Sequence, residues 1–383
     1  MQRPIEQKET IRKTQDTIKP VSKTQLSDSI GRLDEVVITA NRFPQKQNQT
    51  GKVLTVITKE MLEKNSGRST AEILNQFAGM NLVGANNTPG TNIEIYTRGS
   101  NVGNTLILVD GIPIFDVSSI TSAFDINHYT TDQLERIEIL KGAQSSVYGS
   151  DAVAGVINLI TQKKDLHPLQ ANVNLSFGSF GTWNGNVGIQ SSSKKNQFYI
   201  QYQKLYSKGL SSAIDTLGQS GFDRDAFNQN VVSGSFQHKF NSNLTWLINT
   251  QMSSYHADID ANAFNDDKDN RVYSRNNLIS TGILYKKGNS EWHINYAFDE
   301  TNRRYEDDST SVGGYFKYGL SDYKGLSHFA EVYGNIHLNE QWNIVTGLDS
   351  RIQKTAQHFL FIDDWGTYES GLGKDTTKIN MQS

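Results

Sequence analysis

From about residue 170 onward the chain alternates. "ANVNLSFG" puts Ala171, Val173, Leu175 and Phe177 on one face and Asn172, Asn174 and Ser176 on the other. "NQFYIQYQKLY" sets Phe198, Ile200 and Tyr202 against Tyr199, Gln201 and Gln203, and "NLTWLINTQM" and "WNIVTGLDS" repeat the pattern. A period of two with one polar face is a strand signal. Short polar turns ("NSN", "KKGNS", "LNEQ") take turns with long polar loops near 207–228, 256–275 and 300–325. Strands joined in that asymmetric way predict an antiparallel transmembrane β-barrel over 166–383. The alternation alone fits a soluble β-sandwich or β-helix as well.

The pattern before 165 differs. "KVLTVIT" (52–58) reads as a strand, and "TKEMLEKNS" as a helix capped by Thr58. "STAEILNQFAGM" (69–80) reads as a second helix, capped by Ser69, with Ile73, Leu74 and Phe77 on one face and Gly79 as its stop. "NIEIYTRGS" and "NTLILVDGIPIF" are strands, the latter with the Asp110-Gly111 turn signal. "TDQLERIEILKG" is a helical turn running into a strand, and "AGVINLITQK" closes an α+β unit over 43–165. Residues 1–32 hold too few apolar side chains to offset the entropy of ordering and read as a disordered lead. The β-prone run "LDEVVITANR" (33–42) follows that lead.

Composition narrows the classes. The 383 residues suffice for two domains, and a net charge of −3 implies no general nucleic-acid affinity. The chain has no Cys, which excludes disulfides, thiolate metal sites and Cys catalysis. Mean hydropathy is −0.53, and no apolar run reaches the length of a membrane-spanning helix. A transmembrane β-barrel keeps that polar average, because lumen-facing and lipid-facing residues alternate. The 16 Tyr, 17 Phe and 5 Trp suit aromatic girdles. No signal-peptide pattern is visible at the start.

The stretch "EILKGAQSSVYGSDAVAGVINLITQKK" (138–164) bends through Gly142, Gly149 and Gly155 between two strand-like runs. Together with "LDEVVITANR", "IYTRGS" and "TLILVDGIPIFD" it resembles the TonB-dependent outer-membrane receptors, with Gly142-Ala143 where their pattern has Gly-Pro. The resemblance implies a globular plug inside a barrel of about 22 strands. It implies that Asp34, Glu35, Val36, Val37, Ile38, Thr39 and Ala40 form a TonB box, an extended segment able to pair with a partner's sheet edge. It implies that the glycines allow close approach to the surrounding wall, and that Arg136, Glu138 and Lys141 meet that wall. An ordinary first strand and a solvated strand edge are the plainer readings of these two segments.

Within that family the chain looks most like the cobalamin receptors, which implies a corrinoid substrate. Asn101, Asn92, Glu94, Ser119 and Ile120 lie in plug loops expected to face it, although loop capping is the commoner role of such residues. Asp223 and Asp225 in one loop, and Asp258, Asp260 and Asp267 in the next, are the expected Ca²⁺ ligands, with Gly209 where an early Asp is expected. A solvated loop carboxylate is the commoner fate of any one of them. The implied partners are TonB, outer-membrane lipids and the corrinoid, with room for a surface lipoprotein. No redox or organic cofactor is expected.

No HExxH, P-loop, GxSxG or GxGxxG motif occurs. The reading is therefore not an enzyme but energy-coupled uptake across the outer membrane. An iron-siderophore or haem receptor is the alternative substrate reading, disfavoured by the lack of Arg or His clusters in the loops. A soluble glycan-binding protein or hydrolase is the rival from another class. About nine or ten strand-like segments are too few to close a barrel around a plug, and the terminal "KDTTKINMQS" reads as loop. The chain is expected to be the N-terminal part of a receptor, inactive in transport by itself.

Overall fold

The computed structural model describes residues 36–37, 42, 45–46, 51–161, 168–216, 218, 221–308, 316–339 and 341–382, with side chains omitted for 36–37, 45–46, 316 and 373–382. Two short strands, β1 (Val36–Val37) and β2 (Gln45–Lys46), pair with each other. The α+β unit follows as β3 (Val53–Ile57), α1 (Lys59–Lys64), α2 (Thr70–Leu74), β4 (Met80–Val83), β5 (Glu94–Thr97), β6 (Thr105–Val109), β7 (Ile112–Ile114), β8 (Leu134–Lys141), α3 (Ser145–Tyr148) and β9 (Gly155–Thr161). Its main sheet has the order β3-β8-β9-β6-β7, with only β6 and β9 parallel.

Local chemistry explains these elements. Thr58 accepts from Met61 N at the start of α1. Ser69 and Glu72 form a reciprocal capping box at α2, satisfying amides that have no partner inside the helix. α2 stops at Leu74, earlier than expected, because Asn75 Oδ1 accepts from Leu82 N at 2.8 Å and folds the chain back into β4. "NTLILVDGIPIF" is a hairpin rather than one strand, since Asp110 and Gly111 both take positive φ (51° and 87°), which suits a two-residue turn. Alternation along β6 divides the core. Ile107 and Val109 join Ile57, Ile73, Leu74, Ile137 and Tyr129 on the helix side, while Leu106 and Leu108 join Leu140, Val156 and Phe115 on the other. Gly155 comes close not to the wall but to the Leu140 carbonyl of the neighbouring strand, which leaves no space for a Cβ.

Ten antiparallel strands in sequence order form the second sheet. They are β10 (Gln170–Phe177), β11 (Trp183–Ser192), β12 (Asn196–Ser207), β13 (Phe227–Lys239), β14 (Leu244–Asp258), β15 (Arg271–Lys287), β16 (Ser290–Asp307), β17 (Phe316–His337), β18 (Asn343–Asp363) and β19 (Thr367–Gln382). Their apolar rows face outward: Val173, Leu175, Phe177, Ile200 and Leu348 are exposed, whereas Gln203, Gln251, Ser253 and Asn276 are buried against the plug side. Trp292 and Trp342 bracket the apolar band at the short-turn end and Tyr202 and Tyr273 at the other.

Two expectations change here. The loop expected over 300–325 is mostly strand, since β16 runs to Asp307 and β17 begins at Phe316. The terminal "KDTTKINMQS" lies in β19 up to Gln382, because the pairing with β18 is made by backbone groups and does not require apolar side chains. Among the described residues no helix is long and apolar enough to cross a membrane.

Candidate functional site

Among the described residues, three arginines make ion pairs across the seam between plug and sheet. Arg303 on β16 reaches Asp116 at 2.6 Å and Asp125 at 4.0 Å. Arg42 reaches Glu331 on β17 at 2.5 Å, with its guanidinium over the rings of Tyr148 and Tyr333. Arg351 on β18 reaches Asp151 at 2.7 Å and lies 4.2 Å over the Phe115 ring. All three arginines are nearly buried, so each charge depends on its partner.

Hydrogen bonds fill the seam between these pairs. The His128 ring lies between the Ser253 and Ser274 hydroxyls at 2.9 and 3.0 Å. Burial pushes the His128 pKa down, with Asp125 opposing, so the ring is neutral and exchanges one donor and one acceptor role with the two hydroxyls. Tyr255 donates to Asp125 at 2.6 Å, Gln251 to the His128 carbonyl at 3.0 Å, and Gln229 to the Asn127 carbonyl at 2.7 Å. Asn184 and Gln203 both donate to Asp132. Glycines permit close approach from both sides: Gly90 of the plug lies against Ala257 and Phe227 of the sheet, and Gly325 of β17 against Val117 and Ser118 of the plug.

Sequence reasoning did not pick these seam residues. The signal was available in part: Arg303, Glu331 and Arg351 occupy inward positions of otherwise alternating strands, where a charge demands a partner. The three residues chosen instead sit within the plug sheet. Arg136 pairs with Glu138 at 2.7 Å on the same strand, with Glu138 fully buried, and Lys141 Nζ donates to the Ala78 carbonyl. These contacts of Arg136, Glu138 and Lys141 are within the plug, where contact with the wall was expected.

The loops at the long-loop end form an acidic cluster. Carboxylate oxygens of Asp223, Asp260 and Asp266 lie within 4.8 Å of one another, and so do those of Asp267, Asp269 and Asp307. Ser212 ties in Asp225, donating from its amide to Asp225 and from its hydroxyl to Asp260. Asp225 is 1% exposed, and its Oδ1, like Asp223 Oδ1, has no hydrogen-bond partner. Burial pushes Asp225 up to about 7, with Asp260 and Asp223 adding to the rise and the Ser212 bonds opposing it. Burial and Asp266 raise Asp223 as well. Thus Asp223 and Asp260 come together with Asp266, Asp225 sits beside them, Asp267 belongs to the second group, and Asp258 pairs with Arg271 at 3.3 Å. Gly209 replaces the expected early Asp because its φ is +63° and a Cβ there would run into the Asp225 carbonyl.

The plug loops are tied to one another: Asn127 donates to the Thr91 carbonyl at 2.9 Å, and Gly103 packs on Thr121. Asn92, Asn101 and Ile120 are exposed, while Ser119 and Glu94 are half-buried, with Glu94 accepting from Tyr96 at 2.7 Å. Of the expected TonB box, Val36 and Val37 form β1; Asp34, Glu35, Ile38, Thr39 and Ala40 lie outside the described residues.

A globular α+β unit held by buried ion pairs against the polar face of a sheet whose other face is apolar defines a plug-and-barrel architecture. Residues 45–156 match the TonB-dependent Receptor Plug Domain family. The fold is similar to the siderophore receptor PirA from Acinetobacter baumannii, at 21% identity and a TM-score of 0.56, covering 80% of this chain and 48% of that one. It is similar to the ferric yersiniabactin uptake receptor FyuA from Yersinia pestis, at 12% identity and a TM-score of 0.62, covering 87% and 60%. It is also similar to the copper transporter OprC, at 12% identity and a TM-score of 0.68, covering 86% and 50%. The chain spans about half the length of these structures. A bacterial outer-membrane location goes with this fold.

Proposed function

We propose that the chain is part of a TonB-dependent outer-membrane receptor that imports a metal chelate, with an iron-siderophore complex ahead of a corrinoid. The observation that carries this is the matched plug unit, seated by three nearly buried, ion-paired arginines on the polar face of an inside-out sheet. Of the similar structures named above, one is called a siderophore receptor, one a ferric yersiniabactin uptake receptor and the third a copper transporter, which favours the chelate and moves cobalamin to second place. The lack of Arg or His clusters in these loops weighs less than expected, since the chain spans about half the length of those structures.

In this reading the chelate docks on the plug loops carrying Asn92, Asn101, Ser119 and Ile120, with Glu94 half-buried behind them. The two-residue ladder β1–β2 is short enough to exchange for the edge of a TonB sheet, and traction there reaches Arg42 and its pair with Glu331. The chain's residues show no catalytic role in this scheme. The acidic cluster fits Ca²⁺: it offers oxygen donors only, two of them without partners, in the irregular geometry that calcium tolerates. Asp223, Asp225, Asp260 and Asp266 would hold the ion, and its charge would relieve their mutual repulsion and order the two loops.

The test is equilibrium binding by the full-length gene product in detergent, comparing a ferric catecholate siderophore with cyanocobalamin, each with calcium and with chelator. Tight siderophore binding supports the reading. Tight cobalamin binding with none for the siderophore reverses the order of substrates, and loss on chelation supports the metal site.

A further inference from the structure

His128 belongs to the plug, but the hydrogen-bond partners of its ring belong to the sheet. Ser253 on β14 and Ser274 on the neighbouring β15 stand 2.9 and 3.0 Å from the two ring nitrogens. Gln251 of β14 donates to the His128 carbonyl, so the sheet clamps the backbone here as well as the side chain. The residue has no solvent exposure, and the rings of Tyr255 and Phe124 lie 5.1 and 6.2 Å from its own.

The charged and titratable groups around the ring are already committed. From the plug, Asp125 accepts from the Asn127 amide and the Tyr255 hydroxyl, and Asp116 accepts from the amide and hydroxyl of Ser118. Tyr129, next in the chain, packs into the helix-side core. From β16, Arg303 holds Asp116 and lies 4.0 Å from Asp125. β14 adds the Tyr255 hydroxyl, while β13 and β15 present the neutral Gln229 and Ser274. The two carboxylates favour a charged ring and Arg303 opposes it, but burial outweighs them and pushes the His128 pKa down.

A neutral ring needs one donor and one acceptor, and the two hydroxyls supply both. An imidazolium carries two N–H donors, so both hydroxyls have to accept, and a further charge has to be held without solvent. The plainer reading is a satisfied core histidine. That reading suits a ring whose partners share its own body. Here the plug carries the ring and the sheet carries both hydroxyls, so displacing the plug moves the ring from a site that disfavours charge into one that admits it. Proton uptake and plug displacement are then linked.

We propose that His128 is an acid-sensitive latch: the uncharged ring holds the plug on the sheet, and protonation favours the displaced plug. The seated ring binds its proton more weakly than a ring in water does. Seating is therefore fully supported above the ordinary histidine range and weakens as pH falls below about 6.5, by up to about tenfold per unit. The acidic loops run the other way, since Asp225, raised to about 7, favours its protonated form in the folded chain. The latch acts on plug seating and is independent of what is transported.

Limited proteolysis of the full chain in detergent tests it, using proteinase K between pH 5 and pH 8, with each rate divided by that for unfolded casein at the same pH. The expected result is plug loss at least tenfold faster at pH 5 than at pH 7, with the sheet intact. H128Q keeps a donor and an acceptor but cannot titrate, and flattens the profile; H238Q, at the short-turn end, keeps it. A flat wild-type profile, or slower loss in acid, overturns the latch. An H128Q variant with the wild-type slope also overturns it, by assigning the effect to another group. If heat-modifiable mobility shows that H128Q does not fold, the wild type decides. Hydrogen exchange at the ring C2 carbon, read by mass spectrometry on the His128 peptide, should titrate below the ordinary value of about 6.5. A midpoint at or above that value overturns the latch.

Discussion

The plug unit and the ten-stranded sheet bury opposite things. In the plug, Ile57, Leu74, Leu108 and Ile137 are sealed inside. In the sheet, Gln203, Gln251 and Asn276 are sealed inside while Phe177 and Leu348 lie outside. One rule produces both results: apolar area leaves water by the nearest route, which is a core for the plug and the lipid for the sheet. The seam is where the two patterns meet. Both surfaces there are largely polar, so specific pairs hold the plug beside a few apolar contacts, in which Leu278, Ala297 and Phe329 of the sheet join the plug's clusters.

The largest effect should follow from breaking one such pair. Arg303→Ala strands Asp116 and Asp125 at the seam and should cost about 3–5 kcal/mol of plug seating. The expected readout is faster proteolysis of the plug with the sheet still intact. Arg303→Lys retains the charge without the fork and should fall between the two. If the alanine variant protects its plug like the wild type, the seam does not depend on this pair.

The core and the lipid face can be set against each other directly. Leu108→Ala, at a site with no exposure, should cost about 2–5 kcal/mol through lost burial and a residual cavity. Ile200→Ala, at an outward site 52% exposed in the isolated chain, should change stability in detergent by under about 1 kcal/mol. Urea titration of both variants checks this. Equal losses would mean that β12 packs against protein on both faces.

Much of this contrast was legible in the chain. Alternation located the strands of the large sheet, and cap chemistry at Thr58 and Ser69 located two helix starts. The seam was less legible, because ion pairs such as Arg42–Glu331 join residues 289 positions apart, and no local pattern encodes such a distance. Lys141 shows the converse: a charge on a strand edge looked outward-bound, yet it folds back onto the Ala78 carbonyl. The acidic loops were visible by composition, but their grouping was not. Asp258 and Asp260 are two residues apart, yet one pairs with Arg271 and the other joins Asp223 and Asp266.

Calcium binding should depend on pH through Asp225. Its folded pKa is raised to about 7, so without metal the folded loops bind this proton more tightly than the unfolded chain does. The stability so contributed is lost as pH rises through about 7. The ion requires the carboxylate, so calcium affinity runs the opposite way, roughly constant above pH 8 and falling about tenfold per unit below 7. Calorimetry in two buffers of different ionisation enthalpy, at pH 6 and pH 8, should show proton release only at the lower pH. Asp225→Asn should abolish the pH dependence and weaken binding, whereas Asp258→Asn, outside the cluster, should do neither. A pH-independent affinity in the wild type would remove Asp225 from the ligand set.

The smallest change isolates the plug from its seat. Ser69→Ala removes the cap on the Glu72 amide and should cost about 1 kcal/mol. Its neighbour Thr70 donates to the Tyr129 carbonyl at 2.6 Å, immediately after His128, so α2 is tied to the seam by a separate bond. Thr70→Val should therefore both destabilise the plug and speed its proteolytic release, while Ser69→Ala lowers the thermal midpoint alone. A Ser69→Ala variant that releases its plug as readily as Arg303→Ala would show that plug stability and plug seating are one cooperative unit, and the comparison between the two regions would lose its force.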